Sequence, residues 1–591
     1  MSAARILTSR IVKAQSDGAV ADIVKQHVGE FDEIHVSTAV SKFAKLTARR
    51  HTRTLSKNQR DSVLLLLEKR LRGFKSIRAR PLANLVWSYA KLGYDGNHSI
   101  VHYLSDQALL RVVDYFNSQD LANTVWAWAT MRHKPSAHAL AALERRMLAC
   151  VDDFKPQALA NTVWAWATIQ HPPSAAALVA LERRMLGRVD DFKPQDLANT
   201  VWAWATMGHQ PSARALDALE RRMLACVDDF IPQHLANTVW AWATIQHQPS
   251  ARALAALERR VLACIDDFNP QHLANTVWAW ATMRHQPSAK VLAALERRTL
   301  ACVDDFNPQA LANTVWAWAT MRHQPSAAAL AALERRTLAC VDDFDPQALA
   351  NTVWAWATMR HELSADALDA LERRMLTCVD AFKPQDLSNT VWAVAMLMNN
   401  IESDKITMDQ NVLDRLLHRL EHAAQSSTLD EQDLKQIFQA HHLLGDRFKP
   451  SAALLDQARE VWAKSLASGV SSSSQSSLEK KVAACLDRLS ITYDVEALTE
   501  DGMHRIDMLV RGLTDDGGER LLAIECDGPT HFFQASDGTY RIDGSTYARN
   551  CDLRKLGLDV LCVAGHEWIS LPKDERDAYF MGELQERGIV V

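Results

Sequence analysis

Asn269-Pro270-Gln271-His272-Leu273-Ala274-Asn275-Thr276-Val277-Trp278-Ala279-Trp280-Ala281-Thr282 decides the fold, because the same words return along most of the chain. The Asn of Leu-Ala-Asn-Thr-Val-Trp-Ala-Trp-Ala-Thr stands at Asn123, Asn161, Asn199, Asn237, Asn275, Asn313 and Asn351, each 38 residues after the last. A divergent copy precedes them at Leu82 to Trp87, and another follows at Leu387 to Trp392. A constant step of this length marks a repeat array. Within one unit, Asn269 ahead of Pro270 reads as an N-cap before a proline at the first helical position. It predicts a first helix, helix A, running to about Met283. His285-Gln286-Pro287 makes a turn, and Ser288 caps a second helix, helix B. In helix B, Leu292, Leu295, Leu300 and Val303 recur at helical spacing before Phe306 closes the unit. Helix A is apolar nearly all round, with Trp278 and Trp280 projecting about 200° apart on a helical wheel. One hairpin cannot bury such a helix, whereas stacked hairpins can. The expected fold is multidomain: an all-α solenoid of 38-residue helical hairpins, followed by a small α/β domain.

Composition agrees with that expectation and narrows the function. The chain has 591 residues, too many for one ordinary domain. Its 66 Lys and Arg against 71 Asp and Glu leave a net charge of −5, so any polyanion must be met by a local face. No stretch approaches the roughly 18 apolar residues of a membrane span. Of the 18 Trp, sixteen lie in the nine copies, which reads as one packing solution repeated rather than a set of stacking platforms. Six of the 10 Cys (Cys150, Cys226, Cys264, Cys302, Cys340 and Cys378) fall at multiples of the repeat length and read as reduced, helix-packing thiols. Every full unit carries Glu-Arg-Arg, first at Glu144-Arg145-Arg146, and most close on Asp-Asp, as at Asp152-Asp153. That arginine ladder has two readings, a track for phosphates or a solvated ridge paired with its own acids.

The few columns that vary between near-identical copies are the natural place for readout. The residue after Pro-Gln is Asp196, His234, His272, Ala310, Ala348 and Asp386; the residue ending helix A is Arg132, Gln170, Gly208, Gln246, Arg284, Arg322 and Arg360. Helical-repeat RNA binders read one base with two or three side chains per repeat. On that logic Arg132, Gln170, Gln246, Arg284, Arg322, Arg360, His234 and His272 are the candidate RNA contacts, and drift at exposed positions is the alternative.

The unit Pro-Gln-x-Leu-Ala-Asn-Thr-Val-Trp-Ala-x-Ala resembles the octotricopeptide repeats of organellar RNA-binding proteins, related to the helical repeats of the FAST-kinase-like family. The resemblance covers residues 34 to 400. It implies sequence-selective binding of single-stranded RNA, roughly one nucleotide per repeat, in the processing, stability or translation of organellar mRNA or rRNA. No cofactor is required for that. The mitochondrial matrix is expected ahead of the chloroplast stroma.

After residue 400 the repeat fades into a helical cap over 401–464, with helices at Val412 to Ala424 and Leu434 to Leu444. Residues 465–477 hold eight Ser and read as a linker. From 478 to 591 the pattern becomes α/β. Strands are expected near Ile491 to Val495, His504 to Val510, Leu521 to Cys526 and Asp559 to Val563, with a helix around Tyr547 to Leu556. Glu525 and Asp527 share a strand face, and Asp507 on the preceding strand can join them to hold a hard cation such as Mg2+ for phosphodiester cleavage. The segment closely resembles the RAP domain through Arg505-Ile-Asp507, Ile524-Glu-Cys-Asp-Gly-Pro-Thr-His-Phe532, Thr546 to Arg549, Leu553 to Gly557 and His566-Glu-Trp568. That resemblance implies a restriction-endonuclease-like fold, in which an Asp and a Glu-x-Lys carry metal and catalysis. Here the last motif reads Glu525-Cys526-Asp527, without the Lys, leaving Arg554 or Lys555 as substitutes. The readings of this domain are therefore a metal-dependent endoribonuclease using Asp507, Glu525 and Asp527, or a fold retained for RNA binding or docking. His531 is a candidate phosphate contact or a loop cap. Cys526, Cys551, Cys562 and His566 lack zinc-site spacing and read as buried thiols rather than ligands.

Residues 1–33 read as an N-terminal segment. Arg5, Arg10 and Lys13, with no acid before Asp17, suit an organellar presequence or the first turn of the array's cap. The expected partners are single-stranded RNA and RNA-processing or ribosomal proteins, and the expected state is a monomer. A protein-interaction scaffold is the reading from another class.

Overall fold

The computed structural model describes residues 3–48, 52–94, 98–399, 408–468, 476–513, 519–535 and 538–588. The chain divides into two compact units, residues 1–264 and 265–591, and the division falls inside the repeat array at the end of a helix B.

In the first unit, helix Ala3–Lys13 is packed, not free: Ile11 is fully buried, and His35 Nε2 lies 2.9 Å from the Ala4 carbonyl. Helices Asp17–His27, Glu33–Thr47 and Lys57–Arg72 lead into the repeats. Helix A takes the ranges Ala79–Lys91, Ser118–Thr130, Pro156–Thr168, Pro194–Thr206 and Pro232–Thr244. Helix B takes Ala137–Ala149, Ala175–Leu186, Ala213–Cys226 and Ala251–Cys264. In the second unit, helix A continues at Pro270–Thr282, Pro308–Thr320, Pro346–Met359 and Pro384–Asn399, and helix B at Ala289–Ala301, Ala327–Cys340 and Ala365–Cys378. Within each unit, successive A helices pack directly on one another.

Three contacts recur in both units and explain the repeated charges. The Glu of Glu-Arg-Arg reaches forward to the next turn: Glu334 accepts from the Ser364 amide at 2.9 Å and pairs with His361 at 2.7 Å, as Glu182 does with Ser212 and His209. The second Arg reaches back, donating through Nε to a Phe carbonyl 30 residues earlier, as in Arg222 to Phe192 and Arg336 to Phe306, each at 2.8 Å. The first Arg meets the preceding Asp-Asp at the surface, as in Arg183 to Asp152 at 3.2 Å. Of the two readings of the arginine ladder, the geometry is that of a ridge paired with its own chain. Cys150, Cys226, Cys264, Cys302, Cys340 and Cys378 donate to the carbonyl four residues back at 3.1–3.3 Å, and all are free thiols.

Beyond the repeats lie helices Gln410–Gln425, Glu431–Leu444 and Ala452–Ser468. The last runs into the serine-rich stretch, whose residues 469–475 lie outside those described, and Ser476 caps the helix Ser477–Arg488. Seven strands occur among the described residues: β1 (His323–Gln324), β2 (Tyr493–Leu498), β3 (Arg505–Leu513), β4 (Glu519–Asp527), β5 (Phe532–Ala535), β6 (Tyr540–Ile542) and β7 (Asp559–Ala564). The main sheet has the order β2-β3-β4-β7, antiparallel except for the parallel pair β4 and β7, which helix Gly544–Lys555 connects. Helix, three antiparallel strands, helix and parallel strand make up the small α/β domain expected. Its core gathers Met508, Val510, Leu522, Ile524 and Val563 with Trp568 and Phe580. Hairpin β5–β6 was not foreseen, and β5 pairs in parallel with β1, which lies in the turn of a repeat.

Candidate functional site

Both varying columns sit at helix ends. Arg132, Gln170, Gln246, Arg284, Arg322 and Arg360 have φ between 52° and 58°, and Gly208 has φ 66°. This is the left-handed residue that stops a helix: the Arg284 amide donates to Ala281 at 3.0 Å, and the following His285 amide donates to Trp280 at 2.9 Å. The other column is the third residue of helix A, where the first-turn donors need acceptors. Where the N-cap cannot serve (Lys193, Ile231, Lys383), Asp196, His234 and Asp386 accept from its amide at 3.1–3.4 Å. Where the third residue is Ala310 or Ala348, Asn307 and Asp345 cap instead. His272 works alongside Asn269. Burial lowers the pKa of His234 and His272, favouring neutral rings. Arg132, Gln170, Gln246 and Arg284 keep exposed side chains.

Arg322 and Arg360 are occupied elsewhere. Arg322 Nη1 meets the buried Asp543 at 2.5 Å, and its carbonyl accepts from the Gln534 amide at 2.9 Å. The Arg360 guanidinium lies over the Tyr547 ring at 3.6 Å, and its carbonyl accepts from Arg541 at 3.0 Å. Two arginines placed among the RNA contacts by sequence are thus the seat of the C-terminal domain on the repeats.

What sequence reasoning missed is a face that does not vary. Along helix A, Gln157, Asn161 and Trp164 follow at i, i+4 and i+7 and share one side. The Asn is half-buried in every copy, and the Gln is exposed in every copy but the first, where Arg80 takes its place. The first Trp is half-buried in all but the last copy, from Trp87 to Trp354. The second Trp, Trp128 to Trp356, is fully buried. The two indoles of a unit therefore differ, and only the second is wholly core. In the first unit this face forms a groove of about 960 Å³, lined by Asn84, Asn123, Asn161, Gln119, Gln157, Gln195, Trp87 and Trp126, with Lys45, Lys91 and Lys155 and no acid. The Lys91 ammonium lies 4.6 Å from the Trp126 ring centroid. The clue in the sequence was the spacing Gln-x3-Asn-x2-Trp, which constancy disguised as packing.

In the C-terminal domain two of the three acids, Glu525 and Asp527, meet on a guanidinium, and Asp507 does not join them within metal-ligand spacing. Arg549 reaches Glu525 at 3.0 Å and Asp527 at 2.9 Å, while Asp507 accepts from the Cys526 amide at 2.7 Å. Burial pushes Asp507 up to about 6 and Glu525 up to about 8, against the pull of Arg549. Arg549 thus takes the place that the sequence assigned to a cation. Neither substitute for the missing Lys approaches the acids: Lys555 bonds Asn399 at 2.9 Å, and Arg554 is exposed. His531 Nδ1 pairs with Thr546 at 2.9 Å and lies 3.4 Å from Asp527.

Residues 524–581 match the family model described as RAP domain. The chain carries a RAP domain. Ahead of this RAP domain, residues 136–258 match a model described as Tbc2 translation factor, N-terminal domain, and residues 252–403 one described as RNA-editing substrate-binding complex 6 protein. Residues 105–125 match a protein of unknown function, DUF1601. No curated protein matches the chain. Among solved structures, that of Kap121p bound to Nup53p is 14% identical, with 84% of this chain and 60% of that one covered and a TM-score of 0.24. The Pds5–Scc1 complex is 11% identical, with coverages of 82% and 74% and a TM-score of 0.18.

Proposed function

We propose that this protein binds single-stranded RNA along the exposed side of its A helices and acts in organellar RNA metabolism, in mitochondria ahead of chloroplasts. The observation that carries the reading is the groove of the first unit, with its amides, half-buried indoles and three unopposed lysines. Asn and Gln offer donor and acceptor to base edges, Trp offers a surface for stacking, and Lys meets phosphate. The matches to a translation factor and an RNA-editing complex protein support the same class of partner. Cleavage is not part of the proposal, because Arg549 occupies two of the acids a hydrolytic metal would need. The fixed face supplies the contacts common to every repeat, and selectivity between repeats is assigned to the exposed helix-end residues Arg132, Gln170, Gln246 and Arg284.

Selection of RNA from a random pool by the full chain tests the proposal. Enrichment of a sequence supports it; binding that shows no enrichment and vanishes uniformly with salt defeats selective recognition. Replacing Trp126 or Trp164 by Ala is expected to weaken RNA binding by about 1–3 kcal/mol with little change in melting. Trp166→Ala, in the core, is expected to destabilise the fold by about 3–5 kcal/mol.

A further inference from the structure

His442, His504 and Asp552 come from three separate places in the second unit. Helix Glu431–Leu444 supplies His442, the chain entering β3 supplies His504, and helix Gly544–Lys555 supplies Asp552. Both imidazole Nε2 atoms address the same carboxylate oxygen, His442 at 3.4 Å and His504 at 3.5 Å from Asp552 Oδ2. These separations are long for hydrogen bonds. They equal the edge of a tetrahedron whose centre lies about 2.0–2.1 Å from each corner, the bond length of Zn2+ to imidazole nitrogen or carboxylate oxygen. All three ligand atoms lie within 4.8 Å of one another. The rings are nearly perpendicular, at 82°, so two nitrogens can face one point without the rings colliding. His504 Nε2 is buried without a hydrogen bond, and the other Asp552 oxygen, Oδ1, faces Lys555 Nζ at 3.4 Å.

We propose that His442, His504 and Asp552 hold a divalent transition metal, Zn2+ foremost, that fastens the RAP domain to the helical cap. Two imidazoles and one carboxylate leave a fourth position. It opens on a cavity of about 290 Å³ lined also by Gln439, Trp462 and Arg505, where water completes the shell. The other three-ligand cluster among the described residues, His102, Asp106 and His133, differs in kind. There Asp106 accepts from the Ser136 amide at 2.9 Å, 30 residues on, and so repeats the clamp that Glu182 and Glu334 make in later units.

The test uses the full chain, stripped by chelator and titrated with Zn2+ against a chromophoric competitor, with Co2+ as spectroscopic probe. One equivalent of Zn2+, a rise in melting temperature on loading, and the visible absorption of tetrahedral Co2+ are expected. His442→Ala, His504→Ala and Asp552→Asn should each weaken uptake at least about tenfold, while His102→Ala leaves it unchanged. Asp552→Asn keeps the volume and a hydrogen-bonding oxygen, so its folded state, checked by circular dichroism, guards against simple loss of fold. Absence of stoichiometric uptake by the folded wild type overturns the proposal and leaves an ion pair only. Uptake unaltered in folded Asp552→Asn and in the histidine variants overturns it equally.

Discussion

Glu334 shows how much one side chain settles in a repeat. Burial alone would raise its carboxyl, but hydrogen bonds from His361 and from the Ser364 hydroxyl and amide outweigh it and hold the carboxyl down to about 2. A depressed carboxyl contributes stability that is whole above its ordinary value of 4.5 and fades as pH falls from there toward 2. Glu334→Gln is expected to cost about 1–2 kcal/mol at neutral pH, with the difference from wild type shrinking in acid. Urea melts of both proteins across that pH range check this. The role was half legible: Glu-Arg-Arg stood out in every unit, but its partners lie 27 and 30 residues ahead in the next one, and no local pattern reveals a contact at that distance. Arg549 was invisible for the same reason, since its two acids lie on a strand more than twenty residues earlier.

At the scale of elements, the A and B helices were legible because apolar spacing recurs in every copy and proline opens helix A in seven of the nine. So were the four strands of the main sheet, whose apolar runs are long enough to show. Hairpin β5–β6 was not, because strands of three and four residues carry almost no periodicity and β5 finds its partner in a repeat turn some two hundred residues away. That pairing makes the RAP domain a component of the second unit rather than a pendant. Arg322 and Arg360 anchor it through one buried carboxylate and one ring. The double variant Arg322→Ala, Arg360→Ala is expected to loosen the seat, leaving Asp543 buried without its counter-charge, at about 3–5 kcal/mol for that pair. Hydrogen exchange should then rise at Gln534 and Asp543 while the A helices of the first unit stay protected. Unchanged exchange at both residues would show that other contacts suffice.

For the whole molecule, the number of A helices sets the expected length of RNA held. Five lie in the first unit and four in the second among the described residues. If both units engage, nuclease protection should cover about nine nucleotides, at one per repeat; if the lysine-lined groove acts alone, about four, one for each A helix that lines it. The total charge gave no hint of this, because the arginines that dominate the basic count face their own acids and carbonyls. The candidate face was legible in its residues but not in its exposure, which depends on which indole of each pair the neighbouring helix covers.

The forward reach of Glu to the next Ser and the backward reach of Arg to the previous Phe carry a consequence for inheritance. Because every unit offers its neighbours the same partners at the same offsets, an unequal crossover that drops residues 194–231 restores each contact: Arg260 would find Phe192 where it had found Phe230. Such a deletion is expected to yield a folded protein whose RNA footprint is one nucleotide shorter. On the proposed reading of one nucleotide per repeat, recombination among near-identical copies would change the length of the recognised sequence in whole steps.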